Sequence, residues 1–246
     1  GLCVIRTSEP ERLVVARSGS PLVIGVGIGE NFVASDPLAL GQVTDRFIYL
    51  EEGDVADITR DTIQIFAGDK PVERQTTRIR SEIDEIELGD YGHFMLKEIY
   101  EQPKALKDTM TSRIIPGEKI RLDDIHISKD MLTNYSRIYI VACGTAYHAG
   151  LIGKVAIENL SRIPVEVDVA SEFRYRNPII DNKTLLITIS QSGETADTLA
   201  VLRESQTKGA RVIAITNVVG SSIAREADDV FYTWAGPEIG VASTKA

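Results

Sequence analysis

Residues 184–195 read TLLITISQSGET, and the chain continues as ADTLAVLRESQTK to residue 208. A short aliphatic, β-branched run passes into the polar loop Ser190-Gln191-Ser192-Gly193-Glu194-Thr195, after which apolar residues recur at helical spacing. That is a strand, a turn and a helix over 194–208. The same unit recurs on both sides. RIYIVA at 137–142 runs through Cys143-Gly144-Thr145-Ala146 into a helical pattern over 147–161, and VEVDVA, RVIAIT and DVFYTW follow at 165–170, 211–216 and 229–234, with a short helix near 221. Between VEVDVA and TLLITIS the pattern reads as a loop. Strands alternating with helices of about 10–15 residues imply right-handed crossovers and a parallel, flavodoxin-like α/β sheet.

Upstream the rhythm differs. LCVIR, RLVVA, PLVIGV, NFVAS, RFIYL and TIQIF are short runs separated by SEPE, RSGSP, GIGE, EEGD and AGDK, the signature of antiparallel strands and hairpins. Residues 1–92 therefore read as a β-rich unit closed by an acidic linker at 81–92, and residues 93–246 as the α/β unit. The latter begins with a helical segment marked by Phe94, Ile99, Leu106 and Met110, in which Pro103 is a break or a fresh start.

Charge narrows the function classes. The net charge is −9, and residues 1–100 carry most of the acid excess, with 18 acids against 10 bases. Nucleic-acid affinity needs clustered Lys and Arg, so a polyanionic partner is excluded, whereas a small anion needs only a local site. No run approaches membrane-spanning length and the N-terminus lacks a signal-peptide pattern. Cys3 and Cys143 lie far apart in apolar runs, as reduced thiols of a cytoplasmic protein do. The three histidines, His93, His126 and His148, have no metal-ligand spacing. The chain opens on Gly1 and closes on GVASTKA, where Ser243 reads as a helix N-cap, which together suggest a segment of a longer polypeptide.

Two loops could carry chemistry. In a doubly wound sheet of order 2-1-3-4-5, the loops after the first and third strands flank the switch point, so Gly144 and Thr145 would face the same crevice as Ser190, Gln191, Ser192 and Thr195. Hydroxyls, amides and a helix N-terminus can hold a phosphate dianion without lysine. The alternative is that Ser192 caps the helix with Thr195 nearby. Gly25-Val26-Gly27-Ile28-Gly29 lacks full dinucleotide spacing and precedes a strand, which makes it a hairpin turn. No histidine is placed by sequence to activate Cys143.

CGTAYHAG, VASEFRYR, SQSGETADTLAVLR, AGPEIGVASTKA, ARSGSPLVIGVGIGENFVASDPLAL and KEIYEQP closely resemble the glutamine:fructose-6-phosphate amidotransferases (isomerising), also called glucosamine-6-phosphate synthases. The resemblance implies that residues 1–92 are the end of a glutaminase domain plus linker, and 93–246 a first sugar-isomerase (SIS) domain with a leading helical segment. It implies that Ser190, Gln191, Ser192 and Thr195 bind a sugar phosphate, fructose 6-phosphate or glucose 6-phosphate. Gly144 and Thr145 would line the same site, and Val241 and Ser243 would contact the sugar. Ala146 stands where the family usually has serine, which removes one hydroxyl. The residues that release ammonia and shuttle protons in the family are not among those carried over, so no catalytic residue is assigned here. No cofactor or metal is implied, a homodimer is expected through the isomerase half, and the segment alone is expected to be inactive. The runner-up is a non-catalytic, sugar-phosphate-sensing SIS regulatory module.

Overall fold

A computed structural model describes the chain except residues 42, 79–87, 112, 118, 119, 123, 124 and 242. It divides into two compact units, residues 1–87 and 88–246. Most of the expected linker, residues 81–87, lies outside the described residues.

The first unit is built from two antiparallel sheets. One carries β1 (Leu2–Arg6), β2 (Glu9–Ala16), β6 (Asp54–Ile58), β7 (Ile63–Ala67) and β8 (Lys70–Val72) in that order. The other has β4 (Asn31–Ala34), β3 (Val23–Val26), β5 (Arg46–Tyr49) and β9 (Thr76–Arg78) in spatial sequence. Period-2 alternation sends Val15, Ile24, Ile48, Ala56, Ile58 and Ile65 into one core shared by both sheets. The Gly25–Gly29 stretch is the end of β3 and its hairpin to β4, as its spacing suggests. β6, β8 and β9 are additional to the strands expected from sequence. β6 turns Asp54 inward, where its carboxylate is 1% exposed and takes two 2.9 Å hydrogen bonds from the Arg74 guanidinium and one of 2.7 Å from the Glu51 amide. A buried carboxylate needs such pairing, because desolvation alone would cost several kcal/mol.

The second unit runs α1 (Phe94–Thr111), α2 (Lys129–Asn134), β10 (Arg137–Ala142), α3 (Gly144–Ser161), β11 (Val165–Val169), α4 (Ala170–Tyr175), β12 (Thr184–Ile189), α5 (Ala196–Thr207), β13 (Arg211–Thr216), α6 (Ser222–Glu226) and β14 (Asp229–Tyr232). Its sheet has the order β11-β10-β12-β13-β14 with every pair parallel, which is the 2-1-3-4-5 arrangement. Tyr139, Val141, Leu186 and Val212 point to one face, where Phe173, Leu199, Leu202 and Ile223 of α4, α5 and α6 cover them. Ile138, Ile140 and Leu185 point to the other, against α3 through Ile157.

Three expectations need correction. The stretch after β11 is not a loop, since α4 starts at the very next residue and buries Phe173 edge-on against Tyr139. Pro103 does not interrupt α1. It forfeits the hydrogen bond to the Ile99 carbonyl, but Thr109 Oγ1 and the Arg113 guanidinium donate to the Thr233 and Tyr232 carbonyls and hold the helix beyond it. In α1 itself Ile99, Leu106 and Met110 are exposed, and the buried residues are Glu98 and Ala105. Ser243 caps no helix. It sits at φ 63° with its amide donating to Glu238 Oε2, in a segment stitched by polar contacts.

Candidate functional site

β10 and β12 are neighbours in register, with Ala142 opposite Ile189, so the loops that follow leave the sheet from paired positions at its carboxyl edge. Cys143 occupies the N-cap of α3 and Thr195 that of α5, and neither side chain caps its helix. Both sets of first-turn amides therefore lack a side-chain acceptor, and both helix dipoles direct their positive ends toward the same edge.

The 190–195 loop is held from inside. Ser190, 4% exposed, accepts the Gly193 amide on Oγ at 3.1 Å and pairs with Thr195 Oγ1 at 2.9 Å. Ser192 Oγ accepts the Glu194 amide at 3.2 Å rather than capping α5. Gly193 sits at φ 65° against the next crossover, and a Cβ there would fall 2.0 Å from Ser221 Oγ. Glu194 reaches across to accept the Ser222 amide at 2.8 Å. The Gln191 carbonyl accepts from the Asn217 amide at 3.0 Å and from Thr216 Oγ1 at 3.3 Å. With its oxygen accepting the Glu194 amide, Ser192 retains its hydroxyl proton for an external acceptor, while one proton of the Ser190–Thr195 pair is used between the two hydroxyls.

A cavity of about 370 Å³ opens beside these loops. Its floor is apolar, formed by Ile140, Ile187, Ile189 and Ile215 of the sheet, and its rim carries Thr145, Gln191, Thr216, Asn217, Thr233 and Ser243. Among the described residues the side chains of Thr145, Gln191 and Ser243 make no hydrogen bond within the protein. No lysine or arginine lines the cavity. Of the residues singled out by sequence, Thr145, Gln191 and Ser243 line it directly. Gly144, Ser190, Ser192 and Thr195 lie in the adjoining loops, and Val241 is exposed beyond its wall. Thr216, Asn217 and Thr233 are rim residues that motif reading missed. They follow from the sheet order, because β13 and β14 end at the same edge, and Asn217 braces that edge through Thr233 Oγ1, the Ala235 amide and the Gly236 carbonyl. Among the described residues no group of His, Cys, Asp and Glu could hold a metal.

The SIS domain family matches residues 131–246. Those residues carry the carboxyl-edge loops described above. The whole chain is similar to the isomerising glutamine–fructose-6-phosphate aminotransferases, at 59% identity to that of Clostridium tetani and 60% to that of Clostridium perfringens, in each case over 99% of this chain and 40% of the relative. The chain thus spans about 40% of the length of these relatives. A solved structure, the C-terminal domain of glucosamine-fructose-6-phosphate aminotransferase from Francisella tularensis, is similar to part of this chain. It shares 47% identity at a TM-score of 0.59, covering 65% of this chain and 44% of that one. Among the described residues no helix is long and apolar enough to cross a membrane.

Proposed function

We propose that the chain belongs to an enzyme that makes glucosamine 6-phosphate from fructose 6-phosphate and glutamine, and that its SIS domain supplies the sugar-phosphate site. In this reading residues 1–92 are the end of the glutaminase domain with its linker, and residues 93–246 the first SIS domain with α1 leading into it. The observation that carries it is the pair of uncapped helix N-termini leaving adjacent strands beside one cavity. A phosphate dianion fits the positive helix ends and the free hydroxyl protons, and the uncharged rim suits a sugar.

Ser190 pairs with Thr195 and holds the loop; Ser192, Thr195 and Gln191 bind the phosphate, and Gly144 and Thr145 close the site from the α3 side. Val241 and Ser243 meet the sugar. These residues bind and orient; none of them is assigned the proton transfers of isomerisation. The exposed α3 residues Ile152, Val155 and Leu160 support a homodimer formed through this half, and the free thiols of Cys3 and Cys143 suit a cytoplasmic enzyme.

Calorimetric titration with fructose 6-phosphate tests the site. Ser192→Ala and Thr195→Ala should each weaken binding by roughly 1–3 kcal/mol, the scale of a hydrogen bond to a charged group. Unchanged affinity in both variants would overturn the assignment.

A further inference from the structure

We propose that Glu98 of α1 is a positioning residue for the sugar end of this site, acting through the 238–245 segment that carries Val241 and Ser243. The proposal rests on the reading of the cavity as a sugar-phosphate site. Glu98 is 2% exposed, whereas Ile99, Leu106 and Met110 of the same helix are exposed. Its Oε1 accepts the backbone amides of Ile239 at 2.6 Å and Gly240 at 2.9 Å, and its Oε2 accepts Thr244 Oγ1 at 2.6 Å. Burial pushes the Glu98 carboxyl up, but the Thr244 hydroxyl, the two amides and Lys245 outweigh it and hold it below the ordinary glutamate value.

Three further contacts show that the segment is built onto α1. A Cβ on Gly240 would lie 2.8 Å from the Met95 amide nitrogen, so backbone meets backbone and only glycine fits. Gln102 Nε2 donates to the Thr244 carbonyl at 2.7 Å, and Lys245 Nζ pairs with Glu101 at 2.5 Å. Glu238 then folds the segment on itself by accepting the amides of Ser243, Lys245 and Ala246. Val241 and Ser243 fall between the two anchoring points of Glu98, at Gly240 and Thr244. A left-handed serine such as Ser243 persists only where its surroundings over-determine it, and this one lines the cavity. Removing the Glu98 carboxylate would leave two amides buried without acceptors and free the segment to leave the rim. The phosphate loop belongs to other elements and would stay.

That separation defines the test, made on the folded chain with two probes, inorganic phosphate followed by NMR shift titration and fructose 6-phosphate followed by calorimetry. Glu98→Ala should weaken fructose 6-phosphate about tenfold or more, one to two lost buried acceptors' worth, and leave phosphate affinity unchanged. Thr195→Ala should weaken both. Glu98→Gln keeps an acceptor for the two amides and lets Thr244 turn its hydroxyl, so it should restore most of the sugar-phosphate affinity. Thr244→Val, which removes one of the three donors without touching α1, should give an intermediate loss and serves if Glu98→Ala fails to fold. Equal loss of both probes in Glu98→Ala, or no loss of either, overturns the positioning role. A native chain that binds neither probe overturns the site itself, and this proposal with it.

Discussion

Gly193→Ala places a methyl where the loop has no room. The ideal Cβ would stand 2.0 Å from Ser221 Oγ, 2.6 Å from Ser221 Cβ and 2.8 Å from Thr216 Oγ1, and the residue sits at φ 65°. The left-handed backbone costs an alanine roughly 1–2 kcal/mol, and forcing a methyl into a packed site costs about 1–3 kcal/mol more. Together they amount to about 2–5 kcal/mol, which for a unit of this size lowers Tm by roughly 5–20 °C. The two parts are separable. Ser221→Gly removes the two nearest atoms, and alone it should be close to neutral, because Ser221 Oγ is buried without a partner and caps nothing. The double variant should therefore recover the packing part and keep the backbone part. Thermal unfolding followed by circular dichroism reads both. If Gly193→Ala melts within about 1 °C of the native chain, or Ser221→Gly gives no recovery, the loop is not packed against the β13–α6 crossover in this way.

In the first unit, hydrogen bonding to Arg74 holds the Asp54 carboxyl below the ordinary aspartate range. A depressed folded value means that its stabilisation is present above about pH 4 and lost as pH falls through the folded value, so acid unfolding of this unit should shift upward in pH in Arg74→Met. Asp54→Asn should cost about 2–4 kcal/mol in urea unfolding at neutral pH, less than a fully buried pair because Arg74 keeps some solvent contact. Ala146→Ser restores a hydroxyl at the cavity wall and should tighten fructose 6-phosphate roughly fivefold by calorimetry, about 1 kcal/mol for one added hydrogen bond. Light scattering should give a dimer, and Ile152→Asp with Val155→Asp should give a monomer. A native chain that stays monomeric at high concentration would refute the α3 interface.

The parallel sheet is legible because β10, β12 and β13 read as near-continuous apolar runs, with helical patterns between them. Their order then brings the Cys143–Ala146 and Ser190–Thr195 loops to one edge. β6 escapes the strand pattern because its inward positions are Asp54, Ala56 and Ile58, behind the turn-like Glu51-Glu52-Gly53. What makes Asp54 an interior residue is Arg74, twenty positions away, a pairing that no local window contains. α4 is six residues long and begins without a loop or a side-chain cap, so neither periodicity nor a start signal marks it. Helical spacing finds α1 but not what covers Glu98, since its partners Ile239, Gly240 and Thr244 lie more than 140 residues later. The same long-range contact explains why Ser243 resembles a helix cap in sequence and is instead part of an anchored turn.

A crystal structure with glucose 6-phosphate bound locates the phosphate directly. Its oxygens should lie about 2.7–3.0 Å from Ser192 Oγ and Thr195 Oγ1, with the sugar over Ile189 and Ile215 and toward Ser243. A phosphate seated away from the 190–195 loop, or an empty cavity at saturating ligand, would contradict the sugar-phosphate site.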